Sequence, residues 1–216
     1  MKHSEDAAMQ GIAELSIRNA ARVPARPWKN GGGATRELAV FPVGAALDDF
    51  VWRVSLADVV QDGPFSTFAG VDRTIVALDG AGFHLDFAEG GGHLLDRLFE
   101  PFAFAGEASV SARMVGGASR DFNLMVMRER AVGSIEVLNA GAGHLTLAPS
   151  DERVLVYVAR GALSLIDATG ARRSIESGSF VCDGHGPHAH GALRRLRFES
   201  AAADAVALSV RIKPAA

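Results

Sequence analysis

The sequence predicts an all-β chain of two packed β-barrels or jelly rolls with few short helices. Three observations carry that prediction. Short runs alternate apolar and polar residues, as half-buried strands do. Glycine and proline clusters separate most of those runs, and the 24 glycines and 8 prolines suit a chain with many turns. A weak internal repeat recurs about 80 residues apart, the spacing that two barrels of similar topology would give.

The elements follow in order. Phe50-Val51-Trp52-Arg53-Val54-Ser55-Leu56 places Phe50, Trp52, Val54 and Leu56 on one face and Val51, Arg53 and Ser55 on the other. Arg73 to Leu78 reads as a strand, Asp79-Gly80-Ala81-Gly82 as a turn and Phe83 to Phe87 as a second strand, together a hairpin. Further strands are expected at Ala108 to Met114, Asp121 to Arg128, Ser134 to Leu138, His144 to Leu147 and Arg153 to Val158. Others are expected at Leu163 to Asp167, Arg172 to Ile175, Ser179 to Cys182, Leu193 to Glu199 and Ala205 to Ile212. Helix signals are thin: a single turn at Asp58 to Gln61, beside Gly63-Pro64, and another over residues 45–49.

In the repeat, Leu78-Asp79-Gly80-Ala81-Gly82-Phe83-His84-Leu85 resembles Ala159-Arg160-Gly161-Ala162-Leu163-Ser164-Leu165. A second glycine-punctuated pair follows, Phe104-Ala105-Gly106-Glu107 and Glu176-Ser177-Gly178-Ser179-Phe180. The first barrel is expected over residues 11–130 and the second over 131–213, with a soft boundary near 128–143, the two packed as one unit.

Composition removes several classes. Hydrophobic residues make up 48% of the 216, enough to offset chain entropy, so bulk disorder is excluded. The net charge of −3 comes without a basic stripe, so nucleic acid is not an expected partner. One cysteine, Cys182, permits no internal disulfide, and its apolar run marks it as a core residue. The first ten residues carry two early acids and no apolar run, so no secretion signal is expected. Apolar runs fall far short of the ~20 residues of a membrane span. The expectation is a soluble cytoplasmic protein with neither membrane nor nucleic acid as partner.

Three segments could carry chemistry. Pro27-Trp28-Lys29-Asn30-Gly31-Gly32-Gly33-Ala34-Thr35-Arg36-Glu37 sets an apolar wall, a point charge and an amide beside a glycine turn whose N–H groups could form an anion nest. It is not a P-loop, because the lysine precedes the glycines. A plain glycine loop is the bland reading of the same residues. Gly63-Pro64-Phe65-Ser66-Thr67-Phe68-Ala69-Gly70-Val71-Asp72-Arg73 leads two aromatics and two hydroxyls into a strand that begins on an arginine. Arg73 either pairs with a rim acid such as Asp72 or offers its fork to a carboxylate ligand. Arg53 poses the same choice, since a charge facing a barrel interior needs an anionic partner. In Asp121 to Arg128, one face carries Asp121, Asn123, Met125 and Met127, a polar end and a soft end that suit a small-molecule cavity.

Of seven histidines, only His185, His188 and His190 cluster, in a glycine- and proline-rich stretch with no acid between them. A metal site needs three or four ligands at fixed geometry, so no metal and no cofactor is expected. No Gly-x-Ser-x-Gly elbow is present, and no nucleophile–base pair is readable.

The Pro27 to Glu37 segment resembles the opening signature of the HutD/Ves family. The likeness continues through Trp52-Arg53-Val54-Ser55, Gly63-Pro64-Phe65-Ser66, Phe68 to Arg73, Leu78-Asp79-Gly80, Phe102 to Gly106 and Arg120 to Met125. These blocks keep the family's order over residues 27–128, and the second half is much less distinctive. The resemblance implies a double-cupin (bicupin, RmlC-like) fold without the usual cupin metal ligands. It also implies a protein that restrains histidine utilisation by binding an intermediate such as formylglutamate or urocanate, with an arginine as anchor; Ves relatives imply a stress-linked role instead. Among the matching positions, Arg73 is the expected anchor and Lys29, Asn30, Phe65 and Ser66 come second.

The leading expectation is therefore a binding protein for a small carboxylate. Arg73 would clamp it, with or without Lys29; Asn30 and Ser66 would orient it, and Trp28, Trp52 and Phe65 would wall it, with Arg53 and Asn123 on lining faces. The competing expectation is a metal-free isomerase or hydrolase using Lys29, Asp121 or Glu37 as acid or base. Exposed barrel edges often pair, which makes a homodimer a further expectation.

Overall fold

The structure is a computed structural model, and it describes residues 17–139, 144–146, 152–166, 170–182, 197–200 and 204–216. The chain begins with β1 (Ile17–Asn19), a single helical turn (Ala20–Arg22), β2 (Ala25–Pro27), β3 (Gly33–Phe41), β4 (Trp52–Val59) and β5 (Gly63–Pro64). It continues with β6 (Val71–Asp79), β7 (Phe83–Phe87), β8 (Gly92–Leu95), β9 (Pro101–Ala105), β10 (Val110–Met114) and β11 (Ser119–Met127). Then come β12 (Ala131–Asn139), β13 (His144–Thr146), β14 (Arg153–Arg160), β15 (Ala162–Ile166), β16 (Arg172–Glu176), β17 (Ser179–Cys182), β18 (Arg197–Ser200) and β19 (Val206–Pro214). No helix of the described residues is long and apolar enough to cross a membrane.

The chain divides into two compact units, one of residues 21–135 with 212–216 and one of residues 1–20 with 136–211. The first carries a six-stranded sheet, β2-β3-β4-β11-β6-β9, and a four-stranded sheet, β5-β10-β7-β8. The second carries a five-stranded sheet, β1-β17-β14-β19-β12, and a four-stranded sheet, β13-β18-β15-β16. The inner order β4-β11-β6-β9 recurs as β12-β19-β14-β17, and β5-β10-β7-β8 recurs as β13-β18-β15-β16. Eight consecutive strands thus repeat one topology. In the first unit, Val59, Ile75 and Ala77 of one sheet pack against Phe83, Leu85, Leu95, Val110 and Ala112 of the other. Among the described residues the paired sheets stay separate ladders and form no closed barrel.

The repeated glycine turns are sheet-switching corners. β6 pairs with β11 and β9, whereas β7 pairs with β10 and β8, so the expected hairpin over 73–87 does not form. Gly80 and Gly82 instead carry the chain from one sheet to the other. Gly82 has φ +79°, and a Cβ there would stand 1.9 Å from the Leu95 carbonyl oxygen. The corner is tied to β11, because the Ser119 hydroxyl accepts the Gly82 N–H at 2.9 Å. Gly161 makes the matching corner between β14 and β15. The second glycine pair of the repeat is not equivalent: Gly106 lies between β9 and β10, but Gly178 lies between β16 and β17.

Other expectations change for local reasons. Asp58 and Val59 belong to β4 rather than to a helical turn, and residues 45–49 hold a turn at 47–49 without a helix. β3 escapes the alternation pattern because its register slips between Glu37 and Ala39, a bulge that turns the following side chains over. β9 begins on Pro101 and is an edge strand of its sheet, where a missing N–H costs least. Cys182 is half-buried at the end of β17.

Candidate carboxylate site

Cross-strand partners share a face, so the register of the six-stranded sheet states which side chains meet. Asp121 lies between Ala57 and Ala77, Asn123 between Ser55 and Ile75, and Met125 between Arg53 and Arg73. Glu37 stands opposite Ser55 and Phe104 opposite Arg73. These residues belong to the face whose Ile75, Ala77 and Val59 join the apolar core between the two sheets. A polar row of Glu37, Arg53, Ser55, Arg73, Asp121 and Asn123 is therefore set into a face that is otherwise core.

Arg73 is the most demanding member. It is 7% exposed, and its guanidinium sits over the rings of Phe104 (4.9 Å), Phe65 (5.3 Å) and Phe68 (5.9 Å). Cation–π attraction offsets part of the desolvation cost of a charge in such a cage. Its hydrogen bonding is poor: Nη1 reaches the Ser66 carbonyl at 3.5 Å, and Nε has no partner. Burial pushes its pKa down to about 10, with the Asp121 charge working the other way and Arg53 adding to the fall. Arg73 is still a cation at neutral pH, and no carboxylate is in ion-pair contact with it among the described residues.

Two more polar groups on the same face are unsatisfied. The Asn123 Oδ1 and the Ser55 Oγ are buried without hydrogen-bond partners. Each such atom carries a desolvation penalty of about 1–3 kcal/mol unless something pairs with it. Arg53 is already engaged, because its Nε donates to Glu37 at 2.8 Å. Asp121 is 2% exposed, and burial pushes its pKa up to about 7, against the pull of Arg73 and with a further push from the negative Asp58. Asp58 lies on the other face, where it accepts from Arg120 (2.6 Å) and Arg36. Partial burial works to raise its pKa, but the hydrogen bonds from Arg120 and Arg36 outweigh it and hold the carboxyl below its ordinary range.

The raised pKa of Asp121 has a stability consequence. Its proton is held more tightly in the folded chain than in the unfolded one. The contribution is fully present below the unfolded value near 3.8 and is lost as the pH rises through about 7. Urea melts from pH 4 to pH 8 should therefore show a decline that is flattened in Asp121→Asn. An equal decline in both proteins would assign it to another group.

The other sequence candidates fall in different places. Trp28 and Phe65 meet edge-to-face at 6.2 Å, and the Trp28 Nε1 donates to the Thr35 hydroxyl at 2.8 Å. Ser66 approaches Arg73 through its backbone carbonyl, not its hydroxyl. Lys29 and Asn30 are exposed on the β2–β3 hairpin loop. There the Asn30 Oδ1 accepts the Gly32 N–H at 3.0 Å, so the glycine run serves a turn. Trp52 points to the opposite face from Arg53 and stacks on Phe41 at 6.0 Å. Asp72 does not pair with its neighbour Arg73. It joins Glu107 in holding Arg128, which ties the start of β6 to the β9–β10 turn.

Phe104 and Phe68 are cage members that sequence reasoning did not assign, and Asp121 entered it only as an acid–base candidate. Parity places Asp121 and Asn123 on one face, but their relation to Arg73 needs the cross-strand register. Among the described residues no three metal-ligating side chains converge. His185, His188 and His190 lie outside the described residues. Matching the corners at Gly80 and Gly161 sets Val154 at the position of Arg73, where it joins the second unit's apolar cluster.

The HutD family profile matches residues 20–198. The chain belongs to the HutD family. A curated relative, the "Uncharacterized 21.2 kDa protein in hutC 3'region" of Pseudomonas putida, is 37% identical over 165 residues, covering 76% of this chain and 83% of that one. Protein Ves of Escherichia fergusonii is 41% identical over 105 residues, 48% of this chain and 53% of its own. Among solved structures, a conserved protein of unknown function from Pseudomonas aeruginosa PAO1 superposes with a TM-score of 0.77 at 31% identity, covering 93% of this chain and 99% of that one. HutD from Pseudomonas fluorescens SBW25 gives a TM-score of 0.73 at 28% identity, covering 94% of this chain and all (100%) of that one. At the level of fold alone, a cupin 2 conserved barrel protein from Leptotrichia buccalis matches with a TM-score of 0.57 at 10% identity over 93% of this chain and 98% of its own. This HutD-family chain is thus all-β and cupin-like.

Proposed function

We infer that this HutD-family protein binds a small carboxylate at Arg73 and acts as a regulatory protein that restrains histidine utilisation. Formylglutamate and urocanate are the intermediates its site would take. One observation carries the reading: a buried guanidinium in a phenylalanine cage with an unpaired Nε and no carboxylate in contact. An ionised group in that setting is expensive unless an anion completes it. The orphaned Asn123 Oδ1 and Ser55 Oγ on the same face support it, since they can orient a ligand that the arginine anchors. Arg73, Asn123, Phe65 and Trp28 remain in the proposed site; Arg53 lines it while paired to Glu37. The repeated strand order supports a double-cupin reading, with Arg73 and its phenylalanine cage in the first unit.

The test is a thermal-shift screen against histidine-pathway intermediates and related carboxylates. A ligand that binds only the folded chain raises the melting temperature by mass action. Formylglutamate or urocanate is expected to do so; no shift with any carboxylate would end the proposal. Asp121 favours one second reading, a metal-free isomerase or hydrolase, because a carboxyl with a pKa near 7 can serve as acid or base. Turnover of the bound carboxylate by the purified protein would establish it, and unchanged ligand after prolonged incubation would dismiss it.

A further inference from the structure

We propose that carboxylate binding at Arg73 is coupled to the uptake of one proton by Asp121, so that Asp121 sets the pH range over which the site fills. The proposal rests on the carboxylate reading above and adds a linkage to it.

Asp121 and Arg73 belong to neighbouring strands, β11 and β6, on one buried face of the sheet. They act on each other through the field but are not in ion-pair contact. Asp121 lies beside Ala57 and Ala77, whose methyl side chains offer its carboxyl no hydrogen-bond donor. The other charges around it are committed. On the same face Arg53 of β4 is bound to Glu37 of β3. On the opposite face Asp58 of β4 is bound to Arg36 of β3 and Arg120 of β11. The facing four-stranded sheet supplies Phe83, Leu85, Val110 and Ala112, and β9 supplies Phe102 and Phe104, none of them ionisable. Arg73 is therefore the cation that favours an ionised Asp121.

An arriving carboxylate changes that balance. Paired with Arg73, it cancels the cation and places a second negative charge near Asp121. Two carboxylates in one water-poor site do not both stay ionised, and the buried one takes a proton from solvent. No other bond forms or breaks. The direction in pH follows. Free Asp121 has a pKa of about 7, so below that pH it is already protonated and binding takes up little. Above it each bound ligand brings in up to one proton, and affinity falls by up to tenfold per pH unit. Arg73, with a pKa of about 10, stays charged through most of that range.

The experiment is calorimetric titration with formylglutamate, urocanate and formate as probes, at pH 6 to 8.5. Each titration is repeated in phosphate and Tris, whose ionisation enthalpies differ. The wild-type protein is expected to take up most of one proton at pH 8 and to lose affinity about sixfold between pH 7.5 and 8.5. Asp121→Asn is expected to bind without uptake and with a flat pH profile. A carboxyl-carbon NMR titration of the wild-type chain avoids dependence on that variant: the Asp121 midpoint should move up by about two pH units or more on saturation. Wild-type binding with no proton uptake overturns the linkage and leaves the carboxylate site standing. Unchanged uptake in folded Asp121→Asn also overturns it, because the proton then goes elsewhere. Loss of binding in that variant overturns it too, since Asp121 would then be holding the ligand. No binding by any probe overturns both this proposal and the reading beneath it.

Discussion

Arg73→Met is expected to lose about ten- to a hundredfold in carboxylate affinity while its melting temperature at pH 6 holds or rises. The affinity loss follows from removing a charge-assisted pair, worth about 1.5–3 kcal/mol, at ~1.4 kcal/mol per decade. The stability result follows from the cage. Phe65, Phe68 and Phe104 surround the guanidinium, and a thioether of similar length fits such a setting without a desolvation cost. At pH 6 Asp121, with a pKa near 7, is largely neutral and does not miss its cation. The two readouts oppose each other, which separates a binding role from a structural one. A residue kept for stability would lower the melting temperature when replaced, with affinity following only as the fold fails. Calorimetric affinity equal to that of the wild type would remove Arg73 from the site.

Gly82→Ala is expected to cost about 3 kcal/mol or more in denaturant melts. Two costs combine. Alanine at φ +79° is strained by about 1–2 kcal/mol. Its Cβ would also meet the Leu95 carbonyl oxygen at 1.9 Å, a backbone atom that cannot swing away. The corner would have to open, which pulls on the hydrogen bond to Ser119 and hence on β11, two residues from Asp121. Gly117→Ala is the control: it has φ +83°, but nothing lies within 4 Å of the added carbon. It should cost only the backbone strain. Equal losses in the two variants would show that close packing at the corner contributes nothing.

Much of the fold is legible in the sequence because alternation and glycine turns are local signals. What those signals do not state is where a turn leads. Asp79 to Gly82 has the composition of a hairpin turn, yet the strands on either side pair in different sheets. The choice rests on long-range packing against Leu95 and Ser119. β3 is hidden for the opposite reason: a bulge after Glu37 breaks the period on which strands are recognised. The N-terminal β1 pairs with β17, a partner far along the chain that no window shows.

The site divides in the same way. Arg73 and Asn123 are readable as polar residues on strands with apolar faces. The cage residue Phe104 and the charge relation with Asp121 depend on register across three strands. Lys29 and Asn30 drew attention because a glycine run beside polar residues can cradle an anion. The same composition also makes a hairpin turn, and the Asn30 side chain is used to close it.

A crystal structure with the carboxylate that gives the largest thermal shift would show whether that carboxylate completes Arg73. Its carboxylate oxygens are expected within hydrogen-bonding distance of the Arg73 Nε and a terminal nitrogen, with the rest of the ligand against Asn123 and Ser55. A ligand seated elsewhere, with Arg73 still enclosed by its phenylalanines and Nε still unpaired, would contradict it.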